Sequence, residues 1–68
     1  MNNHVRAKRA DRGWTQAQLG DRVGVSRQTI NAIEAGRHDP SLTLAFDLAE
    51  VLEVRIDRLF EPDRHVVP

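Results

Sequence analysis

Between Thr15 and Gly36 the chain carries two helix starts and two glycine stops, and this punctuation constrains the fold more than any other feature. Thr15 and Gln18 are spaced as a capping box: the hydroxyl satisfies a first-turn N–H and the amide reaches back to the cap. Trp14 and Leu19 occupy the two positions of a hydrophobic staple, which sets the angle at which the chain joins the helix. Gly24 then interrupts the segment after about Val23, as a residue free to take positive φ does in a tight turn. Ser26 is a second N-cap, with Val25 and Ile30 spaced as a second staple. The next helix is expected from about Arg27 to Ala35, where Gly36 supplies the stop.

Two helices of this length, joined by a glycine-containing turn, make a helix-turn-helix. Leu19 and Val23 face inward from its first helix, Ile30 and Ile33 from its second, and Val25 plugs the corner. Gly20 sits mid-helix, where glycine costs about 1 kcal/mol against alanine; a small residue is intelligible there if the second helix crosses close above it. The flanking sequence continues in the same style. A first helix is expected from about His4 to Arg12, ending at Gly13. The loop Arg37-His38-Asp39-Pro40 leads to a fourth helix capped by Ser41 or Asp39. Its apolar positions Leu42, Ala45, Leu48, Ala49 and Leu52 follow helical spacing, and Leu44 and Val51 widen the stripe. A short fifth helix around Ile56–Phe60 ends before Pro62. No strand pattern stands out in the body, so the expected class is all-α with five helices. Sixty-eight residues accommodate one core, expected over residues 1–62, with a tail over 63–68 that is a candidate for a dimer contact.

The ten basic and ten acidic residues cancel, and as a bulk figure that argues against a nucleic-acid partner, because phosphate binding draws on excess positive charge. The cancellation is uneven along the chain. Residues 1–37 hold seven bases and three acids, a net of +4; residues 38–68 hold three bases and seven acids, a net of −4. Such asymmetry places a basic working face on the first half.

The residues assembled so far resemble those of the lambda-repressor/Cro-like helix-turn-helix family, also called the xenobiotic response element family. The matching string is Arg9, then Gly13-Trp14-Thr15-Gln16-Ala17-Gln18-Leu19-Gly20, Val23-Gly24-Val25-Ser26-Arg27-Gln28-Thr29-Ile30-Asn31-Ala32-Ile33-Glu34-Ala35-Gly36, Pro40-Ser41-Leu42, and Asp57-Arg58-Leu59-Phe60. It spans about residues 5–61, which points to a short subgroup containing little beyond this domain. Three positions depart from the usual pattern: Lys8 where many members have leucine, Gly20 where alanine is usual, and Arg55 where a capping serine is common. None lies in the second helix of the motif. The resemblance implies a five-helix transcriptional regulator, usually dimeric, that binds double-stranded operator DNA.

Arg27, Gln28, Thr29 and Asn31 occupy the first turns of the third helix, off its apolar side, and are the base-reading candidates. In a major groove an arginine can bridge guanine O6 and N7, and a glutamine can pair with adenine. By analogy to the family, Arg27 and Gln28 lead; Thr29 and Asn31 fall to base, phosphate or neither. Gln16 follows its cap directly, where free N–H groups suit a phosphate, and Arg37 follows the third helix; with Arg9 these are the backbone-contact candidates. The resemblance also implies a partly buried ion pair between Arg9 and Glu34. Leu59, Phe60, Val66 and Val67 are candidates for a dimer seam, the alternative for Leu59 and Phe60 being that they close the core.

Other chemistries are poorly served. Without cysteine there is no disulfide, thiolate ligand or cysteine nucleophile. His4, His38 and His65 lie far apart with no ligand spacing, so neither a metal nor another cofactor is expected. Asp47, Glu50 and Glu53 form a solvated helix face, and capping accounts for Ser26; catalysis has no support. The N-terminal residues lack an apolar signal core and no stretch approaches the roughly 20 apolar residues of a membrane span, so a cytoplasmic location is expected, with the protein on the nucleoid when DNA-bound. The competing function is an antitoxin-like interaction module whose acidic second half binds a partner protein.

Overall fold

The structure, a computed structural model, describes residues 1–62. The tail, including the seam candidates Val66 and Val67, lies outside the described residues. Five helices follow in order: α1 (Val5–Asp11), α2 (Gln16–Val23), α3 (Arg27–Glu34), α4 (Leu42–Leu52) and α5 (Ile56–Leu59). No helix among the described residues is long and apolar enough to cross a membrane.

Each start expected from capping is present. The Thr15 hydroxyl accepts from the Gln18 N–H at 3.0 Å, and the Gln18 side chain accepts from the Thr15 N–H at 2.8 Å. Ser26 accepts from the Thr29 N–H at 3.2 Å, and Ser41, rather than Asp39, accepts from the Leu44 N–H at 3.1 Å. At the far end of α3, Gly36 takes φ 76°. The Gly36 N–H returns to the Ile33 carbonyl and the Arg37 N–H to the Ala32 carbonyl, both at 3.0 Å. These paired bonds form a Schellman turn, which glycine enters without steric cost, and they direct the chain back across α3 at Arg37.

Val5, Leu19, Ile30, Ile33, Leu48 and Leu59 are fully enclosed, and Ala45, Ala49, Leu52 and Phe60 complete the core. Every helix contributes: α2 packs on α3 and α4, α3 also on α1, and α5 closes against α4. The close approach expected at Gly20 is real, but its partner is the turn and not the helix beyond it: a Cβ there meets the Val25 carbonyl oxygen at 2.6 Å.

Three features depart from the sequence reading. Asn2–Asn3 (β1) pairs antiparallel with Phe60–Glu61 (β2), Asn2 opposite Glu61 and Asn3 opposite Phe60. Two residues are too few to show strand alternation, so this ladder is invisible in sequence. It adds to the five-helix fold without changing its class. Leu42, placed in the α4 stripe, is 71% exposed, because the first turn of α4 projects beyond the core. Leu59 and Phe60 were candidates for a dimer seam; Leu59 is enclosed within its own chain and Phe60 is 8% exposed, so both close the core and Leu59 has no surface to offer a second copy.

Candidate nucleic-acid interface

Arg27, Gln28, Gln16, Asn31 and Arg37 line one polar cleft of about 350 Å³ on the outer side of α2 and α3. Local structure explains how they meet. Ser26 caps α3, so Arg27 and Gln28 fall at its first two positions, both exposed. Thr15 caps α2, so Gln16 falls at its first position beside them. The Schellman turn brings Arg37 back from beyond the end of α3 to the same wall.

The members of this cleft differ in what they already hold. Among the described residues the side chains of Arg27 and Gln28 make no hydrogen bond or ion pair. Thr29 does not line the cleft; its hydroxyl lies 3.1 Å from that of Ser26, within the cap itself. Asn31 is engaged at both ends of its amide: Oδ1 accepts from Arg37 Nη2 at 2.9 Å, and Nδ2 donates to Gln16 Oε1 at 3.5 Å. Gln16 Nε2 in turn donates to Glu34 Oε1 at 3.1 Å.

Glu34 anchors this chain of bonds. Its side chain is 4% exposed, against 15% for Arg9, which donates from Nε to Oε2 at 2.7 Å and from Nη2 to Oε1 at 3.1 Å. The fork-on-fork geometry is the strong form of a charge-assisted contact. Glu34 raises the pKa of the Arg9 guanidinium by hydrogen bonding to it, against the opposing effect of burial. Arg9 Nη1 also donates to the Trp14 carbonyl at 2.7 Å. Three of its five N–H groups are thereby committed inside the chain.

Two contributions to this site were not foreseen. Asn3 donates from Nδ2 to the Ile33 carbonyl at 2.8 Å and accepts from the Val5 N–H at 3.1 Å, tying the start of α1 to the C-terminal turn of α3. An asparagine two residues before a helix carries a local capping signal, but nothing local names a partner thirty residues away. Trp14, expected as a core staple, is half-buried, and its ring is faced by the Arg22 guanidinium at 4.0 Å and by that of Arg12 at 5.6 Å. Arg12 also reaches the Leu52 carbonyl at 3.1 Å and the Glu53 carboxylate, clamping the turn between α1 and α2 to the end of α4.

Residues 5–59 match the helix-turn-helix family profile. An uncharacterised HTH-type transcriptional regulator of Methanocaldococcus jannaschii is 48% identical over 60 residues, covering 88% of this chain and 91% of that protein. The uncharacterised HTH-type transcriptional regulator YgzD of Bacillus subtilis is 42% identical over the same shares of the two chains. Among solved structures, the P22 c2 repressor in complex with a synthetic operator superposes with a TM-score of 0.77 at 31% identity, covering 79% of this chain and 82% of the repressor. The restriction-modification controller protein C.AhdI of Aeromonas hydrophila superposes with a TM-score of 0.77 at 28% identity, covering 84% and 86%. These relatives are regulators and not enzymes. The chain belongs to the lambda-repressor-like helix-turn-helix family of DNA-binding transcriptional regulators.

Proposed function

We propose that the chain binds double-stranded operator DNA as a homodimer, each copy laying α3 in the major groove of one half-site. The observation that carries this reading is the exposed, uncommitted pair Arg27 and Gln28 at the first positions of α3, flanked in one cleft by Gln16 and Arg37. A helix entering the groove presents its N-terminal residues to base edges, where arginine suits guanine and glutamine suits adenine. Gln16 and Arg37 grip phosphate on either side. Thr29, its hydroxyl shared with the cap, contributes at most a contact to the edge of the site. Arg9 is assigned to holding Glu34 and not to phosphate, because its guanidinium is spent inside the chain. The operator places the protein in the cytoplasm, on the nucleoid when bound.

For the dimer, the available apolar surface lies on α4 and not at Leu59. Leu42 and Phe46 are 71% and 54% exposed, the large exposed apolar side chains of the described residues. Leu42 borders a groove of about 470 Å³ shared with Met1, Pro40, Ala45, Ile56 and Phe60. None of these residues belongs to α2 or α3, so a second copy covering them leaves both reading helices free. Half-sites one helical turn apart, roughly 34–36 Å, then fall on one face of the duplex.

Selection from random double-stranded oligonucleotides, followed by titration across salt, tests the reading. The expected outcome is a pseudo-palindromic site whose affinity falls steeply as salt rises, because bound arginines displace counterions. No enriched sequence, with affinity flat between low and moderate salt, would sink it.

A further inference from the structure

Asn31 lies on the exposed side of α3 beside Arg27 and Gln28, where an amide is usually counted among groups that face base edges. Its bonds set it apart from both. Oδ1 holds the Arg37 guanidinium at 2.9 Å and Nδ2 faces Gln16 Oε1 at 3.5 Å, so the amide is suspended between the two groups that flank the cleft. Gln16 is held from its other side by Glu34 Oε1 at 3.1 Å, and Glu34 by Arg9 at 2.7 Å. The chain of contacts is continuous from the nearly buried ion pair to the exposed guanidinium. It also decides which way the Gln16 amide points, since a carboxylate accepts only from the NH₂ end.

We infer that Asn31 is a positioning residue: it sets the spacing between Gln16 and Arg37 across the cleft and does not read a base. The inference rests on the proposed DNA-binding reading and specifies how that site is built. Pairing bidentately with adenine requires an asparagine to offer Oδ1 and Nδ2 together along one edge. Turning the Asn31 amide to do so releases Arg37 and Gln16 from their shared partner. Arg37 is a long side chain beyond the end of its helix, and such a side chain loses considerable rotamer freedom on binding unless it is already held. A tether present in the free protein places the guanidinium beforehand, and the cation remains exposed for phosphate.

The test is a set of operator-binding titrations on the wild-type chain and the Asn31→Ala, Arg37→Ala and doubly substituted variants. Each is run on the selected operator and on a panel with every base pair changed in turn. Asn31 is exposed, so folding of each variant is confirmed by its thermal melt. The expected result is that Asn31→Ala weakens binding about fivefold, the weight of one hydrogen bond, by the same factor on every operator. In the Arg37→Ala background the same change has much less effect, because the group it positions is gone. Loss of discrimination at one base pair in Asn31→Ala makes Asn31 a reader and overturns the inference alone. Additive effects of the two substitutions do the same. A wild-type chain with no preferred operator overturns both the inference and the reading on which it rests.

Discussion

Arg9 and Glu34 stand 25 residues apart in sequence and meet through two hydrogen bonds, Nε to Oε2 at 2.7 Å and Nη2 to Oε1 at 3.1 Å, with the carboxylate nearly buried. The pair joins α1 to the end of α3, and the spare capacity of Glu34 Oε1 orients Gln16. Glu34→Ala leaves the Arg9 guanidinium partly buried without its counter-charge, and breaking a buried pair in this way costs about 3 kcal/mol. In a domain this small that is a large share of total stability. Replacing both partners with apolar residues of similar volume, Arg9→Met with Glu34→Leu, removes the unpaired charge and recovers most of the loss. Urea unfolding of the wild type and the two variants checks this; a double variant as unstable as Glu34→Ala would show that the pair is not acting as a unit.

The exposed members of the cleft divide by what their loss should do to operator preference. Arg27→Ala removes a side chain with no partner inside the protein, so stability holds and discrimination at one base pair falls by about 1–3 kcal/mol. Gln28→Ala behaves likewise at a neighbouring position. Gln16→Ala instead lowers affinity by a common factor on all sequences, since a phosphate contact carries no base information. Titrations against single-base operator variants separate the two patterns. Uniform weakening by Arg27→Ala would reassign that residue to the backbone.

Much of this arrangement was legible in the sequence where the physics is local. Thr15 with Gln18, and Ser26 four residues before Ile30, announce their helices because a cap and its partner N–H lie within one turn. The glycine stops are equally short-range, and the tilt of positive charge toward the first half is read directly from the residue order. The failures are all tertiary. The Asn2–Asn3 ladder to Phe60–Glu61 joins the two ends of the described chain through backbone groups that carry no side-chain signal. Leu42 keeps helical phase with Ala45 and Ala49, but phase does not reveal that the core ends one turn short of it. Asn31 looked like any polar residue on the reading face, since its engagement depends on where a Schellman turn sends Arg37.

Gly20 converts one of those tertiary facts into a prediction. A methyl group at this position meets the Val25 backbone oxygen at 2.6 Å, and backbone cannot swing aside as a flexible side chain does. Gly20→Ala gains about 1 kcal/mol of helix propensity and incurs overpacking that typically costs about 1–3 kcal/mol. The expected net effect is a loss of about 1 kcal/mol, read as a lower denaturation midpoint. The turn between α2 and α3 moves with it, so operator affinity falls further than stability alone accounts for. A midpoint at or above the wild type would mean that the turn shifts without cost.

The dimer proposal turns on Phe46, which lies on the outer face of α4, 54% exposed and away from the reading helices. Its ring contributes little to the core, so Phe46→Glu leaves the thermal melt of the isolated chain nearly unchanged. In a dimer seated on this face the new carboxylate is buried against apolar surface, where an unpaired charge is strongly disfavoured. Sedimentation equilibrium should therefore give a dimer mass for the wild type and a monomer mass for the variant at the same concentration. Operator affinity follows, because binding to the second half-site is intramolecular only while the copies are joined. Its loss lowers affinity on the order of 100-fold on the full palindrome and little on a single half-site. A wild-type monomer, or identical sedimentation of the two proteins, removes α4 from the dimer contact.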